Sequence, residues 1–442
     1  MTCRFLRTSL AVSIGALLLI AACQPAANPP FDTTRLTRGE RDYDYPFVNP
    51  FAATVVGTPI GYKAELPERV ISTRRSLTVF EGHRPPDVFW YDTALRFSLA
   101  RQDRPAPLAF VVAGTGGNDT SPNVRLLERI LSAAGLHVIS LPSPTHPNFI
   151  RNASTTGVPG RIRDDAPDLY RVMKLAYAEV AAEIEVTGVH LVGYSLGAWQ
   201  AAFVAKLDDS EGSFGFGKVL LINPPVSLFK SIEILDRLAE ENVPGGMANF
   251  SAFFDRIFQD FAEVYREFDR VDFSQDFLYR VFLRKEPGET DLAALIGAAF
   301  RLSANDMILA ADVMTRFGFV VPRDRQLHAT SSLTDYFLVG SRIGFSNYLD
   351  SFYAPFFRAR EPGLTKDALI AEASFEAIEP YLRRSGKIGL IHNEDDIILA
   401  RGEIDYLRAV FRERATIYPT GGHMGNLEHH AVVARILRFF RD

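Results

Sequence analysis

Ser195 stands between two glycines in Gly193-Tyr194-Ser195-Leu196-Gly197, after the apolar run Val189-His190-Leu191-Val192 and before Ala198-Trp199-Gln200-Ala201-Ala202-Phe203-Val204. Glycines at these two places permit a sharp turn where backbone segments meet, and such a turn pushes the serine out at the top of a sheet. A serine hydroxyl is a weak nucleophile at neutral pH. It needs a base to take its proton and an acid to orient that base. Both candidates lie downstream. The strand-like Lys387-Ile388-Gly389-Leu390-Ile391 runs into His392-Asn393-Glu394-Asp395-Asp396, a cluster of carboxylates just past a strand end. After a helix-like stretch from 402 to 412 and the strand-like Ala415-Thr416-Ile417-Tyr418, the loop Pro419-Thr420-Gly421-Gly422-His423-Met424-Gly425 presents His423. The order is Ser, acid, His, each in a loop after a strand. A bare G-x-S-x-G also occurs in ordinary Gly/Ser loops, so it is this company that gives the motif its weight.

An acyl-transfer site also needs donors for a developing oxyanion, from an earlier loop and from the residue after the nucleophile. Leu108-Ala109-Phe110-Val111-Val112-Ala113 reads as a strand covered on both faces, and it opens into Gly114-Thr115-Gly116-Gly117-Asn118. The glycines let backbone amides face a reacting carbonyl. Phosphate binding is the competing reading of this loop. It has neither the Lys-Ser/Thr ending of a P-loop nor a G-x-G-x-x-G.

These loops have to be held by a scaffold. Residues 69–80 and 93–100 alternate apolar and polar side chains, as antiparallel strands with one covered face do. Residues 123–134 read as a helix ending at Gly135, 136–141 as a buried strand, 165–185 as an amphipathic helix and 218–223 as a further strand stopped by Pro224-Pro225. Alternating strands and helices predict an α/β fold built on a doubly wound, mostly parallel sheet.

With these residues in place, the chain resembles a serine hydrolase of the α/β-hydrolase superfamily, of esterase or lipase type, over most of its length. The resemblance implies that the acid closes an H-G-x-x-D turn, which selects Asp396 in His392-Asn393-Glu394-Asp395-Asp396, and that the base is His423 of the G-G-H loop. Asn393 stands where the family has Gly, an exchange expected to be tolerated because Asn accepts positive φ. Asp395 therefore stays open as the alternative acid. The implied oxyanion donors are the backbone N–H groups of Leu196 and Thr115, with Gly116 as the alternative, and Ala113 replaces the usual His. The implied chemistry is cleavage of carboxylic esters or related acyl bonds through an acyl-enzyme, with no cofactor and no metal. An acyltransferase, thioesterase or peptidase on the same triad, or a catalytically silent lipid-anchored binding protein, are the alternatives. A peptidase would need an acidic pocket for the substrate amine, and Asp255 and Asp260 are two of many acids in the region that could supply it.

Between Pro225 and Lys387 about 160 residues contain no convincing strand, where a plain core of this kind needs one helix and a loop. Residues 226–386 are therefore expected to form a large inserted helical cap, with helical patterns at 291–317, 333–348 and 366–384. Phe250, Phe253, Phe254, Ile257, Phe258, Phe261, Val264, Tyr265 and Phe268 recur at three- and four-residue spacing, so one helical face is almost wholly aromatic. That face is either packing between cap helices or an apolar wall for an acyl chain. The core is expected in two parts, 69–225 and 387–442, preceded by a tether and irregular arm over 23–68.

Met1-Thr2-Cys3-Arg4-Phe5-Leu6-Arg7 is short and basic, and Leu10 to Ala22 is apolar but short for a membrane span. Residues 1–22 are expected to be a secretion signal. Its end, Ile20-Ala21-Ala22-Cys23, resembles a bacterial lipobox, in which the Cys becomes the lipidated first residue; plain cleavage near Ala22 is the alternative. Pro25 to Pro30 reads as a flexible tether, and Gln24 instead of Asp resembles lipoproteins passed to the outer membrane of Gram-negative bacteria. The expected location is the bacterial cell envelope, anchored through lipid on Cys23, facing the periplasm. Cys3 and Cys23 are the two cysteines of the chain, so the mature domain would hold no disulfide, thiolate metal site or Cys nucleophile. Loss of Arg4 and Arg7 takes the net charge from −5 to −7, which argues against nucleic acid as a partner. An acyl substrate and the membrane are the expected partners. His137, His190 and His392 read as structural residues, His146 as a pocket-lining candidate, and His429-His430 as surface residues of the last helix.

Overall fold

The continuous apolar runs become the central strands of one eight-stranded sheet, in a computed structural model that describes residues 28, 43–253, 255–256 and 282–441. The strands are β1 (Ser72–Leu77), β2 (Leu95–Ala100), β3 (Ala106–Val112), β4 (His137–Leu141), β5 (Val186–Tyr194), β6 (Lys218–Ile222), β7 (Ile388–Asn393) and β8 (Ala415–Tyr418). Their order is β1-β2-β4-β3-β5-β6-β7-β8. β2 runs antiparallel to both neighbours and every other pairing is parallel. The fold is thus α/β, with a doubly wound, mostly parallel sheet and a large helical region.

Both faces of the sheet are covered, and this explains the unbroken hydrophobicity of β3 and β4. Along β3, Leu108, Phe110 and Val112 enter one core with the helices Ile162–Val180 and Leu196–Glu211, while Ala109, Val111 and Ala113 enter another with the helices Pro122–Ala133 and His430–Arg441. A side-chain period of two divides one apolar run between two layers. Register then sets the site. Val112 lies beside Gly193, Tyr194 beside Ile222 and Asn393 beside Tyr418, so the loops after β3, β5, β7 and β8 emerge at one end of the sheet. Strand order reverses between β3 and β5, where crevices form in open α/β sheets.

Two expectations need correction. The arm before β1 is not irregular throughout: Pro50–Val56 is a helix with Asn49 capping the Phe51 and Ala52 amides, and Ala52, Ala53 and Val56 are buried. The patterns at 333–348 and 366–384 are each broken. The first divides into Thr334–Gly340 and Phe345–Tyr348, the latter continuing through a π turn into Ala354–Arg360. The second divides into Lys366–Glu372, a 3₁₀ turn Phe375–Ile378 and Glu379–Arg384, because Ser374 Oγ caps the Glu376 amide and restarts the chain.

From β6 to β7 the described residues form helices and no strand, the longest being Leu228–Asn242 and Glu289–Thr315. Phe250 and Phe253 are buried against Ala239, Val243, Ala294 and Ala298 on these two helices. They belong to packing between cap helices. Phe254 and the rest of the aromatic stripe from Ile257 to Phe268 lie outside the described residues, as do the segment before Asn28 and Cys23.

Candidate active site

Ser195 sits on a sharp turn between β5 and the helix that follows it. Its backbone is at φ 52° and ψ −128°, a region that non-glycine residues avoid and that costs about 1–3 kcal/mol unless the surroundings impose it. The surroundings do. A Cβ on Gly193 would lie 2.2 Å from Gly197 O, and one on Gly197 would lie 2.3 Å from Val112 O, so both glycines are required for β3, β5 and the following helix to approach. The Ser195 amide donates to Ile222 O at 2.8 Å. The serine begins the 16-residue helix Leu196–Glu211, whose N-terminus favours negative charge.

His423 Nε2 lies 2.9 Å from Ser195 Oγ, and His423 Nδ1 lies 3.1 Å from each carboxylate oxygen of Asp396. Asp396 has a fully buried side chain. Its Oδ2 accepts a hydrogen bond from Asn223 Nδ2 at 2.7 Å and its Oδ1 accepts one from the Ile398 amide at 3.1 Å. Burial works to raise this carboxyl, and His423 together with the Asn223 amide outweighs it, so the group is held below the ordinary carboxylate value. Asp396 is thus the acid that touches His423.

Asp395 points elsewhere. Its oxygens accept from the Gly421 amide at 3.2 Å and the Gly422 amide at 2.9 Å, so it fastens the loop that carries His423. Asn393 departs from the expected role as well. It ends β7 in extended backbone, and its side chain donates to Gly422 O at 2.8 Å and exchanges hydrogen bonds with Asn426. The asparagine at positive φ is Asn223, at 47°.

The amides of Leu196 and Thr115 have no hydrogen-bond partner among the described residues and border the same cavity. The Gly116 N–H, the alternative oxyanion donor, is already donated to Thr145 Oγ1 at 2.9 Å. Thr145, from the loop after β4, was not legible as part of the site; nor was Thr54. Thr54 Oγ1 donates to Pro50 O at 2.7 Å and accepts the His423 amide at 2.9 Å, which fastens the His loop to the helix Pro50–Val56.

Two cavities meet at this centre. An open cleft of about 460 Å³ is bordered by Ser195, His423, Gly114, Thr54 and, from the cap, Leu235 and Ile296. A smaller, mostly apolar cavity of about 60 Å³ runs from Thr115 and Leu196 between Leu228, Phe229, Ile232, Met307 and Ile308. Thr115 and Phe300 border both. Phe250 and Phe253 border neither.

Three other histidines singled out by the sequence lie outside the triad. His146 is half-buried and borders neither cavity; its Nδ1 accepts the Asn148 amide and desolvation lowers it to about 4. His392 is fully buried; burial lowers it, its Nε2 faces Pro224 O at 3.0 Å and its Nδ1 accepts the Asn393 amide. His429 is buried and not a surface residue. With Asp44 and His430 it places three potential ligand atoms within 4.8 Å of one another. Its Nδ1 accepts the Ala431 amide, which leaves the proton on Nε2 to be donated to Asp44 at 3.0 Å, so the group reads as a hydrogen-bonded brace.

Residues 125–436 match the Alpha/beta hydrolase family, and the chain belongs to that family. No curated protein sequence matches it. Among solved structures it is similar to a hyperthermophilic esterase from the archaeon Pyrobaculum calidifontis, at 14% identity and a TM-score of 0.41 over 93% of this chain and 97% of that one. It is also similar to a highly thermostable carboxyl esterase from Bacillus coagulans, at 13% identity and a TM-score of 0.39 over 84% and 97% of the two chains.

Proposed function

We propose that this member of the alpha/beta hydrolase family is a serine hydrolase of carboxylic esters or related acyl bonds. The observation that carries the reading is the unbroken contact from Ser195 Oγ through His423 to the buried Asp396 carboxylate. In the first half-reaction His423 Nε2 takes the Ser195 proton as Oγ attacks the acyl carbonyl, and the amides of Leu196 and Thr115 receive the oxyanion. His423 then protonates the leaving alcohol, and the acyl-serine remains. A water molecule, deprotonated by the same imidazole, releases the acid and restores Ser195. Asp396 holds the imidazole with Nδ1–H toward itself and balances the imidazolium.

The test is Ser195→Ala, assayed with a fluorophosphonate probe and a short p-nitrophenyl ester. Labelling and hydrolysis should both vanish while the melting temperature stays level or rises, since the strained serine has lost only its hydroxyl. Undiminished labelling removes Ser195 from the role. Anchoring to the bacterial cell envelope is part of the same proposal and rests on Ile20-Ala21-Ala22-Cys23 behind an apolar segment. Mass spectrometry of the membrane fraction should find lipid on Cys23, absent in Cys23→Ser; a soluble wild-type protein without lipid refutes the anchor.

A further inference from the structure

The smaller cavity starts at the residues of the oxyanion amides and leads away from the catalytic pair. Leu196 and Thr115 border it, whereas Ser195 and His423 border only the open cleft. This separation assigns the two halves of an ester. His423 Nε2 must reach the leaving oxygen to protonate it, so the alcohol portion lies on the side of His423, in the cleft. With the carbonyl oxygen held at the amides of Leu196 and Thr115, the acyl chain leaves the reacting carbon on the other side, into the smaller cavity. Two cap helices build the wall there. Leu228 and Ile232 stand one turn apart on Leu228–Asn242, and Ala304, Met307 and Ile308 recur at three- and four-residue spacing on Glu289–Thr315. The charged residues that border the cavity, Asp236 and Arg301, pair with each other, and the Asp236 carboxylate also accepts the Phe345 amide at 2.8 Å.

We infer that the substrates are esters of short, apolar carboxylic acids with a larger alcohol portion, and that Ala304 and Met307 set the length of acyl chain accepted. The inference rests on the serine hydrolase reading of Ser195. Size limits the acid. About 60 Å³ holds roughly four to six water-sized groups, so the chain beyond the carbonyl is limited to about six carbons. The cleft offers about 460 Å³ and is open, so the alcohol meets no such limit. Charge is limited as well. An ionised chain end would be taken out of water among apolar side chains, which is costly without a partner, and Asp236 and Arg301 already satisfy each other. Ala304 and Met307 border this cavity and not the cleft, so they bear on the acid and leave the alcohol alone.

The experiment takes the full chain through two series: p-nitrophenyl esters from acetate to dodecanoate, and butanoate esters of ethanol, butanol and octanol, whose leaving groups are alike in basicity. Along the first, kcat/KM should rise by about fourfold per methylene while the cavity fills. It should peak at butanoate or hexanoate and fall by about 10-fold or more at decanoate, where the chain overfills the site. Along the second it should not fall with size. Met307→Ala should raise the ratio of decanoate to hexanoate by about fourfold or more, and Ala304→Leu should lower the ratio of hexanoate to acetate by about 10-fold. A general packing defect would slow all esters alike and leave both ratios unmoved, which in two folded variants removes these residues from the role. A wild type that prefers dodecanoate to hexanoate, or one whose rates fall along the alcohol series, overturns the inference. Hydrolysis of p-nitrophenyl acetate that is lost in Ser195→Ala reports the underlying reading separately; its absence from the wild type refutes that reading and the acyl subsite with it.

Discussion

Replacing Asp396 by Asn and, separately, Asp395 by Asn tests which carboxylate serves His423. In the Asp396 variant the new amide nitrogen must take one of two positions, and both are already faced by donors, Asn223 Nδ2 at one and the Ile398 amide at the other. Rotation of Asn223 can relieve the first conflict, so the site survives as a fold but without its negative charge. The imidazolium formed during attack then loses a partner whose charge centre lies at roughly 4 Å, worth about 4 kcal/mol at an effective dielectric near 20. Each 1.36 kcal/mol is a factor of about ten in rate, so kcat should fall by about 10³-fold, and by about 10⁴-fold if the imidazole also turns to the wrong tautomer. Asp395→Asn keeps one acceptor for the Gly421 and Gly422 amides and loses the other. That variant should lose about 1–2 kcal/mol of stability and only a few-fold in kcat. Steady-state kinetics on a short ester, with thermal melts of both proteins, separates them. If the Asp395 variant loses more in kcat than the Asp396 variant, the assignment of the acid is wrong.

Thr54→Val removes the acceptor of the His423 amide while keeping the shape of the side chain, and should lower both kcat and the melting temperature; hydrolysis at the wild-type rate would show that the helix Pro50–Val56 does not hold the His loop. Asp165 is buried with its carboxyl raised well above the ordinary value, chiefly by burial. Its folded form therefore binds a proton more tightly than the unfolded chain does, so the stability it contributes is present below the unfolded value near pH 3.9 and is lost as pH rises toward the raised one. Asp165→Asn, which can still accept the Gly160 amide, should gain stability over the wild type as melts are taken from pH 4 to pH 8; parallel curves would sink this reading. Phe253→Ala should destabilise the protein by about 3–5 kcal/mol and leave the acyl-length profile unchanged, since Phe253 packs between cap helices and borders neither cavity. A shifted profile without loss of stability would return the aromatic stripe to the pocket.

Why some of this could be read from the sequence and some could not follows from the range of the interactions involved. The runs 108–113 and 387–391 are strands because a strand covered on both faces must be apolar at every position, a purely local signal. Ser195, Asp396 and His423 follow from strand ends, since parallel strands deliver their following loops to one end of the sheet. The discrimination between Asp395 and Asp396 is different in kind. Both are carboxylates on adjacent residues, and only the direction of the turn decides that one meets an imidazole and the other two glycine amides. Thr54 and His423 are 369 residues apart, and Asn393 and Asn426 pair across 33, distances at which no periodicity or turn chemistry constrains a partner. Asn393 illustrates the cost of arguing from one backbone rule: it was expected to supply positive φ, and its use lies in an amide that can donate and accept at once, which Gly could not do. The same limit applies to the cap. Its longest helix, Glu289–Thr315, was legible from spacing, whereas the break after Glu372 was not, because it depends on Ser374 Oγ accepting the Glu376 amide. A cap or brace that a side chain supplies to a distant turn is visible only once every neighbour is in place.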